Sequence, residues 1–139
     1  MEYSKIDKLG VNPSLLGFGC MRFPKKEDGT IDEVEAERML DHAIESGVTY
    51  IDTAYPYHDG ESEPFVGRVL KKYKREDFYL ATKLPMFKID SLEQAKEIFE
   101  EQMKRLDVDY VDFYLLHALN KDTWKKVIDL NIIPYCERN

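Results

Sequence analysis

Four short apolar runs, each followed by a stretch with helical spacing, constrain this chain more than any other feature. They cover residues 15–21, 48–51, 78–82 and 110–116. Near-continuous apolarity over so few residues predicts strands buried on both faces, as in a parallel sheet. The intervening segments predict helices. Asp32 caps the first, Ala36, Leu40, Ala43 and Ile44 form its apolar stripe, and Gly47 ends it. Ser62 opens the second, with Pro64 tolerated in its first turn. In the third, Ser91 and Gln94 read as a capping box, and Leu92, Ala95, Phe99, Met103 and Leu106 run down one face. A weaker helix is expected over 124–130. A weak strand pair is expected before the first run, around the turn-prone stretch 9–13. Alternation of this kind predicts right-handed crossovers and an α/β fold. With 139 residues and no linker, one domain over 1–139 is expected.

Composition narrows the partners. Twenty Lys+Arg against 27 Asp+Glu give a net charge of −7, which argues against nucleic acid or an anionic membrane surface. At 43% hydrophobic the chain can bury a core. No apolar run nears the roughly 18 residues of a membrane span. The longest, 110–119, is interrupted by Asp112 and His117. The first residues lack a signal-peptide pattern, and Cys20 and Cys136 are too few for a disulfide scaffold. A cytoplasmic location is expected.

The chemistry sits where the strands end. Asp52, Lys83 and His117 close the second, third and fourth runs, 31 and 34 residues apart, and Tyr55 and Tyr57 follow the second. In parallel α/β folds, active sites lie at the carboxyl ends of the strands. Taken singly, each residue has a plainer reading. Asp52 can be a turn residue, Lys83 a solvated strand end, His117 a core histidine and Tyr57 a packing residue. Their joint placement favours a site. Gly17 and Gly19 lack the third glycine of a dinucleotide fingerprint, because Arg22 stands there. Asp52 and His117 can be metal ligands, but a lysine and a tyrosine between them favour proton relay, and no metal is expected. The charged stretch 97–105 reads as the solvated face of the third helix. Cys20 reads as a core residue and Cys136 as a tail residue.

The segments 17–22, 47–63, 80–83 and 112–117 together resemble the aldo-keto reductases. In that family an Asp-Thr-Ala is followed, five residues after the Asp, by the reactive Tyr, then by a Gly and a Glu. Asp52, Thr53, Ala54 and Tyr57 match that spacing, so Tyr57 rather than Tyr55 takes the reactive place. The resemblance implies reversible hydride transfer between NADPH and a small carbonyl substrate. Tyr57 would give the proton to the carbonyl oxygen. A free phenol holds its proton to a pH of about 10, so it needs a neighbouring cation, the place the family gives Lys83. Asp52 would balance that lysine, and His117 would orient the substrate oxygen. Met21, Arg22 and Asp52 would touch the cofactor.

The fold implied is the first half of a TIM (β/α)8 barrel, about four strand-helix units where a whole barrel takes about 250 residues. Family residues that grip the cofactor phosphates come mostly from later strands. The expectation is a fragment or truncated product that keeps the relay and is inactive alone. The alternative is a non-catalytic half-barrel, stable only by self-association through exposed sheet edges or by pairing with another half.

Overall fold

A computed structural model describes residues 1–138; Asn139, at the end of a tail expected to hold no fifth strand, lies outside the described residues. Four strands, β1 (Gly17–Gly19), β2 (Tyr50–Asp52), β3 (Tyr79–Leu84) and β4 (Phe113–Leu116), form one sheet in the order β1-β2-β3-β4. Every pairing is parallel. The helices are α1 (Glu33–Glu45), α2 (Ser62–Leu70), α3 (Leu92–Leu106), α4 (Lys121–Asp129) and α5 (Ile132–Cys136). The predicted strand-helix alternation is therefore the architecture. Before β1, antiparallel bridges join Tyr3 to Ser14 and Ile6 to Val11, a minimal form of the expected strand pair.

Alternation along the strands divides the sheet into two faces. Ile51, Leu80, Thr82 and Leu84 are fully buried. Ile51 and Leu80 share a core cluster with Leu40 of α1, Phe65 and Val66 of α2, and Leu106 of α3. Leu84 joins a second cluster with Ala95, Val127 and Ile132. Each such Leu or Ile is worth about 1.5–3 kcal/mol relative to exposure. The opposite face carries Tyr50, Asp52, Tyr79, Lys83, Phe113 and Leu115. There the Phe113 ring lies 5.2 Å from Tyr50 and 6.2 Å from Tyr79.

Some boundaries differ from expectation, for identifiable reasons. β4 begins at Phe113 rather than at 110, because the preceding residues wrap Arg75. Its guanidinium sits 3.9 Å from the Tyr110 ring centroid and donates to Asp112 at 2.7 Å, while Asp112 also accepts from the Leu80 N–H. The Asp32 side chain caps α1 by accepting from the Glu35 N–H, as expected. At α3, Ser91 accepts from the Gln94 N–H, but the Gln94 side chain accepts from the Asp90 N–H, so the box is not reciprocal. α4 starts earlier than expected, because Asn120 and Thr123 form a reciprocal capping box. Helices α2 and α3 approach so closely that a Cβ on Gly67 would lie 2.4 Å from the Leu106 carbonyl oxygen.

Candidate active site

The sheet register assembles the site. Asp52 pairs with Ala81, so Lys83, two residues further along β3, projects from the same face one step beyond. The Lys83 ammonium donates to Asp52 Oδ1 at 2.5 Å, to the Thr53 carbonyl at 2.8 Å and to the Tyr57 hydroxyl at 3.1 Å. An ammonium has three N–H groups, and all three are used. Lys83 is 12% exposed and Asp52 26%, so the pair is only partly screened by water.

Tyr57 reaches the lysine from the loop after β2. The chain turns through a short 3-10 segment, Tyr57–Gly60, in which His58 and Asp59 both adopt left-handed φ values, 52° and 53°, followed by Gly60 at 88°. Non-glycine residues in that region cost about 1–3 kcal/mol each and persist where surrounding contacts over-determine them. The Tyr57 ring stands edge-on to His117, with centroids 5.7 Å apart. His117 follows β4 and is tied to β3 by its N–H, which donates to the Leu84 carbonyl at 2.9 Å. Phe87 closes its other side at 5.6 Å. Burial and then the Lys83 cation hold the His117 imidazole below the usual histidine range, and Asp52 opposes them. Among the described residues, its Nδ1 is buried without a hydrogen-bond partner. An orphaned lone pair is tolerated better than an orphaned N–H, which assigns the proton to Nε2.

Asp52, Tyr57, Lys83 and His117 are therefore one cluster at the carboxyl end of the sheet. Met21 and Arg22, both exposed, lie on the loop that follows β1 at the same end of the sheet. Among the described residues, the cluster's hydrogen bonds do not include them. That loop is anchored beside the cluster by the Cys20 N–H, which donates to the Asp52 carbonyl at 2.8 Å. Cys20 itself is fully buried, and burial pushes its thiol well above the usual range.

Beneath the cluster lies a buried polar layer that sequence reading missed. Glu63 of α2 is fully buried and accepts from Thr82 at 2.6 Å and from Gln102 of α3 at 2.8 Å. The Gln102 amide also donates to the Lys83 carbonyl at 3.0 Å and accepts from the Tyr114 hydroxyl at 2.7 Å. Arg105 stands 3.6 Å from Glu63 Oε2, bonds Glu101 at 2.6 Å and lies 4.1 Å from the Tyr55 ring centroid. The stretch 97–105 is thus not simply a solvated face: Gln102 turns inward to donate to Glu63 Oε1, and Arg105 sets its charge beside Glu63 Oε2, which has no hydrogen-bond partner among the described residues. Gln102 falls three residues after Phe99 and four before Leu106, on the apolar stripe. A polar residue at that register was the available signal.

Comparison with known proteins gives consistent relatives. The profile of the Aldo/keto reductase family matches residues 15–137. Aldo-keto reductase YhdN of Bacillus subtilis is 34% identical over 125 residues, which are 84% of this chain and 38% of that protein. The holo form of aldo-keto reductase AKR11C1 from Bacillus halodurans superposes with a TM-score of 0.73 at 31% identity, covering 93% of this chain and 47% of the other. An aldo-keto reductase from Klebsiella pneumoniae, solved in complex with NADPH, shares the fold at a TM-score of 0.68 and 24% identity, covering 86% and 43%. The chain spans less than half the length of each of these relatives.

Proposed function

The chain belongs to the aldo/keto reductase family, and we propose that its strand-end cluster is the proton relay of an NADPH-dependent carbonyl reductase. The observation that carries this reading is the saturated Lys83 ammonium, held by Asp52 and the Thr53 carbonyl and aimed at the Tyr57 hydroxyl. The cluster fits the reacting end of a nicotinamide–carbonyl pair. The Tyr57 oxygen accepts from Lys83 and keeps its own proton to give, and the partnerless buried Nδ1 of His117 leaves Nε2–H as a donor.

NADPH, when bound, supplies the hydride to the carbonyl carbon. Tyr57 gives its proton to the carbonyl oxygen. The Lys83 ammonium stabilises the phenolate left behind, and its own position is fixed by the Asp52 carboxylate. His117 donates from Nε2 to the same oxygen and sets its direction. Met21 and Arg22 would meet the nicotinamide end of the cofactor from the rim. Asp52 would face the same end.

A second reading, a half-barrel that performs no catalysis and self-associates, is favoured by one feature. Leu115, 37% exposed, lies on the same sheet face as the ring cluster of Tyr50, Tyr79 and Phe113. Covering such apolar surface is worth roughly 25 cal/mol per Å². Light scattering at micromolar concentration is expected to show association of the 139-residue chain; a compact monomer would remove this reading.

The reductase reading is tested by joining residues 1–139 to the carboxyl-terminal half of the Bacillus subtilis relative. A small aldehyde should then be reduced with matching loss of NADPH absorbance. A folded hybrid that binds NADPH and leaves the aldehyde untouched would count against it.

A further inference from the structure

We infer that His58, in its neutral form, is a positioning residue that latches the loop after β1 onto the loop carrying Tyr57, and that protonation of His58 opens the latch. The geometry is specific. The Phe23 N–H donates to His58 Nε2 at 3.1 Å, and the imidazole stacks on the Phe23 ring with centroids 5.6 Å apart. Phe23 is only 4% exposed and is packed in turn edge-on against Phe65 of α2 at 5.1 Å. His58 is therefore a side-chain link between the loop after β1 and the loop after β2, beyond the Cys20 N–H bond to the Asp52 carbonyl. One carries Met21 and Arg22, and the other carries Tyr57, the residue immediately before it.

Two local costs fall at this link. His58 and Asp59 are consecutive non-glycine residues in the left-handed region. With Nε2 accepting from Phe23, the ring proton sits on Nδ1, which is buried and has no hydrogen-bond partner among the described residues. Both costs are borne at the turn that fixes the Tyr57 ring against Lys83. Strain of this kind collects where a side chain must be aimed.

The latch needs an unprotonated Nε2, because an imidazolium has two N–H donors and no acceptor. The groups facing His58 are Lys25 from the β1 side and Glu61 and Asp59 from its own loop. Burial and Lys25 disfavour the charged ring, and the two carboxylates oppose them. The folded value thus lies below the ordinary histidine value of about 6.5. The unfolded chain takes up the proton first, so the latch weakens as pH falls from about 6.5 toward the lowered folded value. The catalytic consequence rests on the reading of Tyr57 as proton donor; the latch itself does not.

The test is hydrogen exchange at the Phe23 amide in the native chain, His58→Asn and His58→Ala between pH 7.5 and 5, corrected for intrinsic rates. The Cys20 and Leu80 amides serve as references. Asn tolerates the left-handed conformation and offers an oxygen acceptor without titrating. Phe23 protection in the native chain is expected to fall about tenfold across the range, as loss of one hydrogen bond implies. It should stay flat in His58→Asn and be low throughout in His58→Ala, with Cys20 and Leu80 unchanged. Flat native protection, native-like protection in His58→Ala, or a loss shared equally by Cys20 and Leu80 would each overturn the inference. Because none of these readouts requires turnover, failure of the latch and failure of the reductase reading are distinguishable.

Discussion

Asp52 and Lys83 meet because their strands are parallel and in a register that sets Asp52 beside Ala81, which brings the lysine ammonium to 2.5 Å from the carboxylate. The contact is partly buried and the ammonium also holds Tyr57, so removing it affects both stability and the geometry of the relay. Lys83→Met strands the Asp52 carboxylate in a poorly hydrated position. It should lower unfolding free energy by about 2 kcal/mol, less than for a fully buried pair. Asp52→Asn combined with Lys83→Met should cost less than the two single changes added, with a coupling of about 1 kcal/mol in urea denaturation. Strict additivity would mean the contact contributes nothing.

Glu63 should behave as the keystone of the layer under the relay. Glu63→Ala removes the acceptor for Thr82 and Gln102 and the countercharge of Arg105. A loss of about 3 kcal/mol is expected, whereas Glu63→Gln keeps an oxygen acceptor and should cost much less. Burial pushes the Glu63 carboxyl above the ordinary range, against hydrogen bonds and Arg105 that pull it down. A raised folded value means that the folded state binds the proton more tightly than the unfolded chain. This group's contribution therefore falls as pH rises from the ordinary carboxylate value through the raised one. Urea midpoints of Glu63→Gln should lack that slope.

His117 titrates in the opposite sense. Its folded value lies below the ordinary one, so its contribution to stability is complete above about pH 6.5 and is lost as pH falls toward the lowered value. Lys83 is one cause of that lowering. Imidazole proton shifts followed by NMR should therefore show His117 titrating at higher pH in Lys83→Met than in the native chain. An unmoved titration would mean that the ammonium does not act on the imidazole.

The parts of this site legible in the sequence were those tied to strand ends. Asp52, Lys83 and His117 stand out because a polar residue closing an apolar run falls at the carboxyl edge of a parallel sheet; Asp52 and Lys83 are the last and next-to-last residues of β2 and β3, and His117 follows β4. Tyr57 was legible only through the spacing of a family motif, since a tyrosine in a loop carries no periodicity. His58 was hidden because its role depends on Phe23, 35 residues away, and on a left-handed turn that no local pattern demands. Gly67 was hidden for a related reason: it reads as an ordinary interruption of a helical stripe, yet the Leu106 carbonyl leaves no room there for a side chain. The strand boundaries shifted where side chains outbid the backbone pattern, as Asp112 does in serving Arg75 and the Leu80 amide before β4 begins.

As the proposed proton donor in carbonyl reduction, Tyr57 should be indispensable to turnover. The most direct test is the aldehyde-dependent rate of NADPH oxidation in the hybrid of residues 1–139 with the carboxyl-terminal half of the Bacillus subtilis relative. NADPH affinity is measured alongside by fluorescence. The 139-residue chain alone should show no saturable NADPH binding and no turnover. In the hybrid, Tyr57→Phe and Lys83→Met should each lower the rate by about 10²-fold or more, as expected when a general acid or its support is removed, with NADPH affinity unchanged. A Tyr57→Phe hybrid that turns over at the native rate would contradict the account.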